Sequence, residues 1–329
     1  MPSEPFVALP EHGFPSLDQE QRLISEAGYD LRVGSCHTVA EVLEVCADAQ
    51  ALLVQHTQIT AEIIAGLQRC RIMVRYGVSV AEIDVAAATK RGIAVCNVPD
   101  YGMNEVADHT LSLALTAARQ IPQIDKRLRD GIWKYTPDRP MPTFSEMSFM
   151  SAGFGRIGRE VLARAQAFKF HVAAYDPMVP DAVFDAAGVR RVSLDELFAE
   201  ADILSLHLPL TSATAHLLDG ARLKQMKTNA IVVNTARGGL IDTTALVSAL
   251  NSGEIVAAAL DVYEDEPLPA GHELLCCPNA ILTSHVAWFS DSSGPRLQRM
   301  AAEEVIRGLR GEPLRNQVNR EVERVAGSS

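Results

Sequence analysis

Long uncharged apolar runs are missing: nowhere do about 18 such residues follow one another, so no membrane-spanning helix is expected. Residues Met1 to Pro10 lack a basic stretch and a sustained apolar stretch, which argues against a secretory leader and for a cytoplasmic protein. Cysteine is present but unpatterned. Cys36, Cys46, Cys70, Cys96, Cys276 and Cys277 match neither a C-x-x-C zinc spacing nor a disulfide framework, so reduced, mostly interior thiols and no metal site are expected. Clustered positive charge is also missing, and the formal net charge of −11 would repel a phosphate backbone, which argues against direct nucleic-acid binding. No internal repeat or low-complexity tract is visible.

What is there is the composition of a folded globular chain, long enough at 329 residues for two domains of roughly 150 each. Short apolar runs of strand length recur at Ala51–Val54, Ile72–Val74, Ile93–Cys96, Ile203–Leu206, Ile231–Val233 and Val256–Leu260. Helix-length segments lie between them, among them Ala61–Leu67, Val106–Ala118, Arg159–Phe168 and Thr243–Asn251. Such alternation predicts an α/β protein with parallel sheets covered on both faces. Asn104 is read as the N-cap of the helix that carries Val106, Leu111 and Leu115. Three prolines in Tyr135–Pro142 exclude a helix there.

That loop leads into Gly153-Phe154-Gly155-Arg156-Ile157-Gly158, a G-x-G-x-x-G run that opens a helix. Gly153 permits a tight turn, Gly155 lets a pyrophosphate approach the main chain, and Gly158 allows close helix–strand packing. The predicted strand His171–Tyr175 then ends at Asp176, eighteen residues after Gly158, where a carboxylate would hold a ribose hydroxyl and favour NAD over NADP. A plain turn residue before Pro177 is the alternative for Asp176. The preceding segment, Met147–Ala152, carries two hydroxyls and little β-branching, which leaves its strand boundaries open.

Arg237 follows the run Ile231–Val233, at the sheet edge where open α/β sheets bind ligands, and its planar guanidinium suits a carboxylate. A surface arginine in a glycine-rich turn is the alternative. Glu266 and His285 each follow a later apolar run, and a carboxylate beside an imidazole orients the ring for acid–base work.

These residues lie within a longer series: Val74-Arg75-Tyr76-Gly77-Val78, Asn97-Val98-Pro99, Glu105-Val106-Ala107-Asp108, Gly153–Gly158, His207-Leu208-Pro209, Asn234–Gly238, Ala259-Leu260-Asp261-Val262, Glu266-Pro267 and His285. In that order they resemble the D-isomer-specific 2-hydroxyacid dehydrogenase family, D-3-phosphoglycerate dehydrogenase among its members. Asn97-Val98-Pro99 and His285–Ser290 look most like the C-terminal-binding-protein branch. The resemblance implies two doubly wound parallel-sheet domains, a Rossmann NAD domain (101–289) inserted in a discontinuous flavodoxin-like substrate domain (1–100 and 290–329). It implies an active site in the cleft between them and a homodimer formed through the NAD domain, with residues 119–148 as the arm. It also implies that Arg237 holds the substrate carboxylate and carbonyl, that His285 is the acid–base, and that Glu266 tunes it. Substrate contacts would come from His56, Arg75, Val78, Ser79 and Trp288. Cofactor contacts would come from Val106, Gly153, Phe154, Gly155, Arg156, Ile157, Gly158, Asp176, His207, Pro209, Thr214, Thr235, Ala236 and Asp261.

The chain departs from the family pattern at Ser79 (usually Gly), Ala81-Glu82 (Asp-Asn), Met150 (Gly) and Ser284 (Pro). A Cβ at position 79 is tolerable only if φ stays negative. The expected activity is interconversion of a D-2-hydroxy acid and its 2-oxo acid with NAD. An NADH-responsive corepressor or scaffold and a short phosphoglycerate dehydrogenase are the alternatives.

Overall fold

The computed structural model describes residues 5–322. The chain divides into two compact units, Met1–Gly102 with Ser290–Ser329, and Met103–Phe289. Residues 1–4 and 323–329, which the sequence reading assigns to the substrate domain, lie outside the described residues.

The first unit holds β1 (Phe6–Leu9), β2 (Asp30–Val33), β3 (Ala51–Val54), β4 (Ile72–Arg75) and β5 (Ala94–Cys96) in one parallel sheet, ordered β2-β1-β3-β4-β5. This is the flavodoxin-like order. Its inner strands are apolar, apart from Arg75 at the end of β4, because both faces are covered. Phe6 and Ala8 of β1 pack into one core, with Leu52, Val54 and Ile63, while Val7 and Leu9 pack into the other, with Leu297, Ala301 and Val305. The helix Ser293–Leu309 thus belongs to this unit although it comes last in the chain. Buried Asn319 binds the late segment to the sheet: Val95 N–H donates to its Oδ1 (2.8 Å), and its Nδ2 donates to Ile93 O (2.9 Å).

The second unit holds β6 (Ser148–Ala152), β7 (His171–Tyr175), β8 (Arg190–Arg191), β9 (Ile203–Leu206), β10 (Ile231–Asn234), β11 (Ala257–Leu260) and β12 (Ala280–Leu282). All pairs are parallel, ordered β12-β11-β10-β9-β6-β7-β8. β6 pairs with both β7 and β9, so the winding reverses there, and the carboxyl ends of β6 and β9 flank the switch point where such sheets bind ligands.

One local expectation is corrected, and one boundary that the sequence leaves open is defined. The helix carrying Val106 begins at Met103, so Asn104 lies in its first turn rather than at its cap, and its Oδ1 accepts from Arg164 instead (3.1 Å). The polar segment before the glycine-rich turn is a full five-residue strand because both hydroxyls are satisfied. Ser148 Oγ receives Asp202 N–H (3.0 Å), and buried Ser151 Oγ donates to Gly153 O (2.5 Å).

Candidate active site

β6 runs directly into the glycine-rich turn. Gly153 has φ +102°, and a Cβ there would lie 2.6 Å from His207 O at the end of β9. A Cβ on Gly158 would lie 2.3 Å from Gly153 O, so the helix Arg156–Ala167 can approach the turn only without a side chain at that position. Gly155 is different: nothing lies within 4 Å of a Cβ built on it. Open space above a helix N-terminus is what a pyrophosphate requires.

Asp176 is buried just beyond β7, with Oδ2 accepting Phe154 N–H and Oδ1 accepting Met178 N–H, each at 2.9 Å. Each oxygen keeps a second lone pair, so the carboxylate can fix the turn and still meet a ribose hydroxyl. The residues present therefore fit an NAD. His207 places Nε2 2.8 Å from Ser205 Oγ, and burial pushes its imidazole down to about 4, so it is a neutral group. Thr214 Oγ1 donates to Pro209 O (2.6 Å), closing the loop that follows His207. Val106 and Thr235 are joined through Thr110, whose Oγ1 donates to Val106 O (2.7 Å) and lies 2.7 Å from Thr235 Oγ1.

Arg237 leaves the sheet just after β10. Fully buried Asn234 shapes this turn, its Oδ1 accepting Ala236 N–H (3.0 Å) and its Nδ2 donating to Arg237 O (2.8 Å). One guanidinium N–H donates to Ala236 O (2.5 Å). The next residue must be glycine, because a Cβ on Gly238 would fall 1.8 Å from the Tyr263 carbonyl carbon. That contact seats the Arg237 turn against the Tyr263–Glu266 turn.

Within the latter, Tyr263 N–H donates to Glu266 Oε1 (3.0 Å), and His285 Nδ1 lies 2.5 Å from Glu266 Oε2. The carboxylate thereby fixes the ring and leaves Nε2 as the nitrogen that can exchange a proton with a ligand. His285 has φ +55°, a left-handed conformation unusual for a non-glycine residue. Asp261 holds it there. That buried carboxylate accepts Val286 N–H (3.0 Å), Ala287 N–H (2.9 Å) and the Thr283 hydroxyl (2.6 Å), while Asp261 O accepts His285 N–H (2.8 Å). Tyr263 OH donates to Thr283 O (2.8 Å), and burial beside Asp261 and Glu266 pushes the phenol up to about 12, so it stays a donor.

The sequence reading did not single out Asn234, Tyr263, Thr110 or His109, the last lying 3.1 Å from Thr283 Oγ1. Asn234 itself opens the Asn234–Gly238 motif, and for the other three the only signal was neighbouring motif residues. Trp288 stands edge-on to Phe289 with ring centroids 5.5 Å apart.

In the first unit, exposed His56 follows β3, and Arg75 ends β4. Val78 is exposed, and Ser79 lies outside the residues of positive φ, so its Cβ is accommodated. Its Oγ accepts Ala81 N–H (3.2 Å), and Asn97 Nδ2 donates to Val78 O (2.6 Å). Among the described residues no cluster of His, Cys, Asp and Glu could hold a metal, and no helix is long and apolar enough to cross a membrane.

Residues 111–287 match the family described as D-isomer specific 2-hydroxyacid dehydrogenase, NAD binding domain, and the chain belongs to that family. It is 39% identical over 300 residues to a D-3-phosphoglycerate dehydrogenase of Methanocaldococcus jannaschii, covering 91% of this chain and 57% of that one. It is 35% identical over 320 residues to a glyoxylate reductase of Korarchaeum cryptofilum, covering 96% and 95%. The D-lactate dehydrogenase of Aquifex aeolicus, solved with NAD and lactic acid, superposes with a TM-score of 0.83 at 26% identity over 98% of this chain and 100% of that one. The chain spans little more than half the length of the D-3-phosphoglycerate dehydrogenases it matches. These relatives are dehydrogenases and reductases and lend no support to a place beside the C-terminal-binding proteins.

Proposed function

We propose that this chain is an NAD-dependent oxidoreductase that interconverts a D-2-hydroxy acid and its 2-oxo acid. The observation that carries the reading is the Glu266–His285 pair, set in a left-handed turn next to the Arg237 loop, in the unit that carries the glycine-rich turn. In reduction, His285 Nε2 gives a proton to the substrate's carbonyl oxygen, and in oxidation it takes one from the hydroxyl. Glu266 holds the ring in the productive tautomer and orientation. Arg237 binds the carboxylate and stabilises charge that develops on the carbonyl oxygen. The bound nicotinamide supplies or accepts the hydride. The first unit offers main-chain groups at Val78 and Ser79 for the substrate carboxylate and the side chains of His56 and Arg75 as further substrate contacts, and the second unit offers Trp288 for the substrate side chain.

The cofactor is received by Gly153, Phe154, Gly155, Arg156, Ile157 and Gly158 at the phosphates and by Asp176 at the ribose. Val106, His207, Pro209, Thr214, Thr235, Ala236 and Asp261 line the remainder of its site. The enzyme works in the cytoplasm as a homodimer formed through the NAD-binding unit, which displays an apolar helix face. Oxidation of phosphoglycerate is the second reading, favoured by the 39% identical relative.

The test is oxidation of NADH by purified protein against glyoxylate, hydroxypyruvate, phenylpyruvate and 4-methylthio-2-oxobutyrate. Turnover of a member, with D-configured product, supports the reading. Tight NADH binding without turnover of any of them contradicts it.

A further inference from the structure

Arg75 is the one cation among the substrate-contact candidates of the first unit, and it is already paired. Glu82 grips it from two sides: the arginine's Nε donates to Oε2 (3.2 Å) and its Nη2 to Oε1 (2.8 Å). Nη1 donates to Tyr76 O (2.5 Å). Three of the five guanidinium N–H groups are thus committed, and two remain. The neighbouring backbone is built around this arrangement, since Gly77 has φ +125° and a Cβ there would lie 2.1 Å from Arg75 Nη1. Both side chains are about four-fifths covered, at 18% and 19% exposure, so solvent screens the pair only in part. The Arg75–Glu82 pair therefore offers hydrogen bonds without net charge, at the end of β4 just before the loop that carries Val78 and Ser79.

We propose that Glu82 determines specificity: by neutralising Arg75 it fits the site to 2-oxo and 2-hydroxy monocarboxylates with an uncharged side chain and turns away substrates that carry a second, phosphate-like anion. A phosphoryl group brought to Arg75 meets the Glu82 carboxylate at close range, and like charges so placed repel strongly. A hydroxyl or keto oxygen pays no such penalty and uses the two remaining donors. The proposal rests on the reductase reading given above and narrows it to the non-phosphorylated side of the family.

Hydroxypyruvate and its 3-phosphate differ only by the phosphoryl group and serve as the probes. For the whole chain with NADH, kcat/KM is measured for both, and dissociation constants for both are measured by calorimetry with NAD present. The proteins compared are wild type, Glu82→Gln and Glu82→Asp. Glutamine keeps the shape and one acceptor for Arg75 but removes the charge, whereas aspartate keeps the charge. Wild type is expected to favour hydroxypyruvate by about tenfold or more. Glu82→Gln is expected to shift the ratio of dissociation constants by about tenfold in favour of the phosphorylated compound. Glu82→Asp should retain the wild-type preference. A wild type that takes the phosphorylated compound equally well, an unchanged ratio in Glu82→Gln, or failure of both compounds to bind overturns the proposal. Failure of the reductase reading looks different: both compounds bind without turnover, and the ratio of dissociation constants still decides the role of Glu82.

Discussion

His285 and His207 stand at the carboxyl ends of strands in the same sheet and are put to opposite use. His285 is half exposed and hydrogen-bonded to a carboxylate, which suits a group that must gain and lose a proton. His207 is driven down to about 4 by burial and stays neutral. Its effect on stability has a definite sign. Between its ordinary value of 6.5 and the folded value near 4, the unfolded chain takes up the proton and the folded chain does not, so this histidine costs stability as pH falls through that window. Above pH 6.5 the penalty is absent. Denaturant titrations of wild type and His207→Asn at pH 7.5 and pH 4.5 should show the wild type losing more stability on acidification. Equal losses would mean that the imidazole is not excluded from solvent.

Among the elements, the glycine-rich turn separates a packing role from a binding role within four residues. Gly158→Ala must push a methyl group into the Gly153 carbonyl, and overpacking of this kind costs about 1–3 kcal/mol. Gly155→Ala meets nothing within 4 Å, so the melting temperature should hold while NADH affinity falls, because the methyl group enters the space left for the pyrophosphate. Thermal melts and NADH fluorescence titrations check both.

The same scale shows what could be read from sequence. Ala51–Val54 and Ile203–Leu206 were legible to the residue because they lie inside their sheets, where both faces demand apolar side chains. The edge strands Asp30–Val33 and Arg190–Arg191 were not, since their side chains are largely exposed and polar and only tertiary pairing makes them strands. Arg237, Glu266 and His285 stood out because their chemistry is written in residue type. Asn234 braces the main chain of its own turn, while Tyr263 and the clamp formed by Asp261 act on main-chain atoms some twenty residues further on, a role that spacing along the chain does not reveal.

Over the whole molecule, one surface is out of character for a chain alone in water. The helix Ile121–Arg129 exposes Ile121, Ile124 and Leu128 at helical spacing, and Ile132, Trp133 and Tyr135 follow, the last two 72% and 92% exposed. Contiguous apolar area of this kind marks a contact surface, and it lies in the segment read as the dimer arm. Light scattering of wild type should give the dimer mass, and Leu128→Glu with Trp133→Glu should give the monomer mass. A monomeric wild type would remove the homodimer.

The fold, the open space at Gly155 and the Arg237, Glu266 and His285 set together point to hydride exchange with a 2-oxo acid. It is tested most directly by hydroxypyruvate-dependent NADH oxidation in wild type and His285→Ala, with NADH binding measured on both. Turnover is expected in wild type, with a loss of about 10²- to 10⁴-fold in the variant at unchanged NADH affinity. Equal turnover in the two proteins would contradict it.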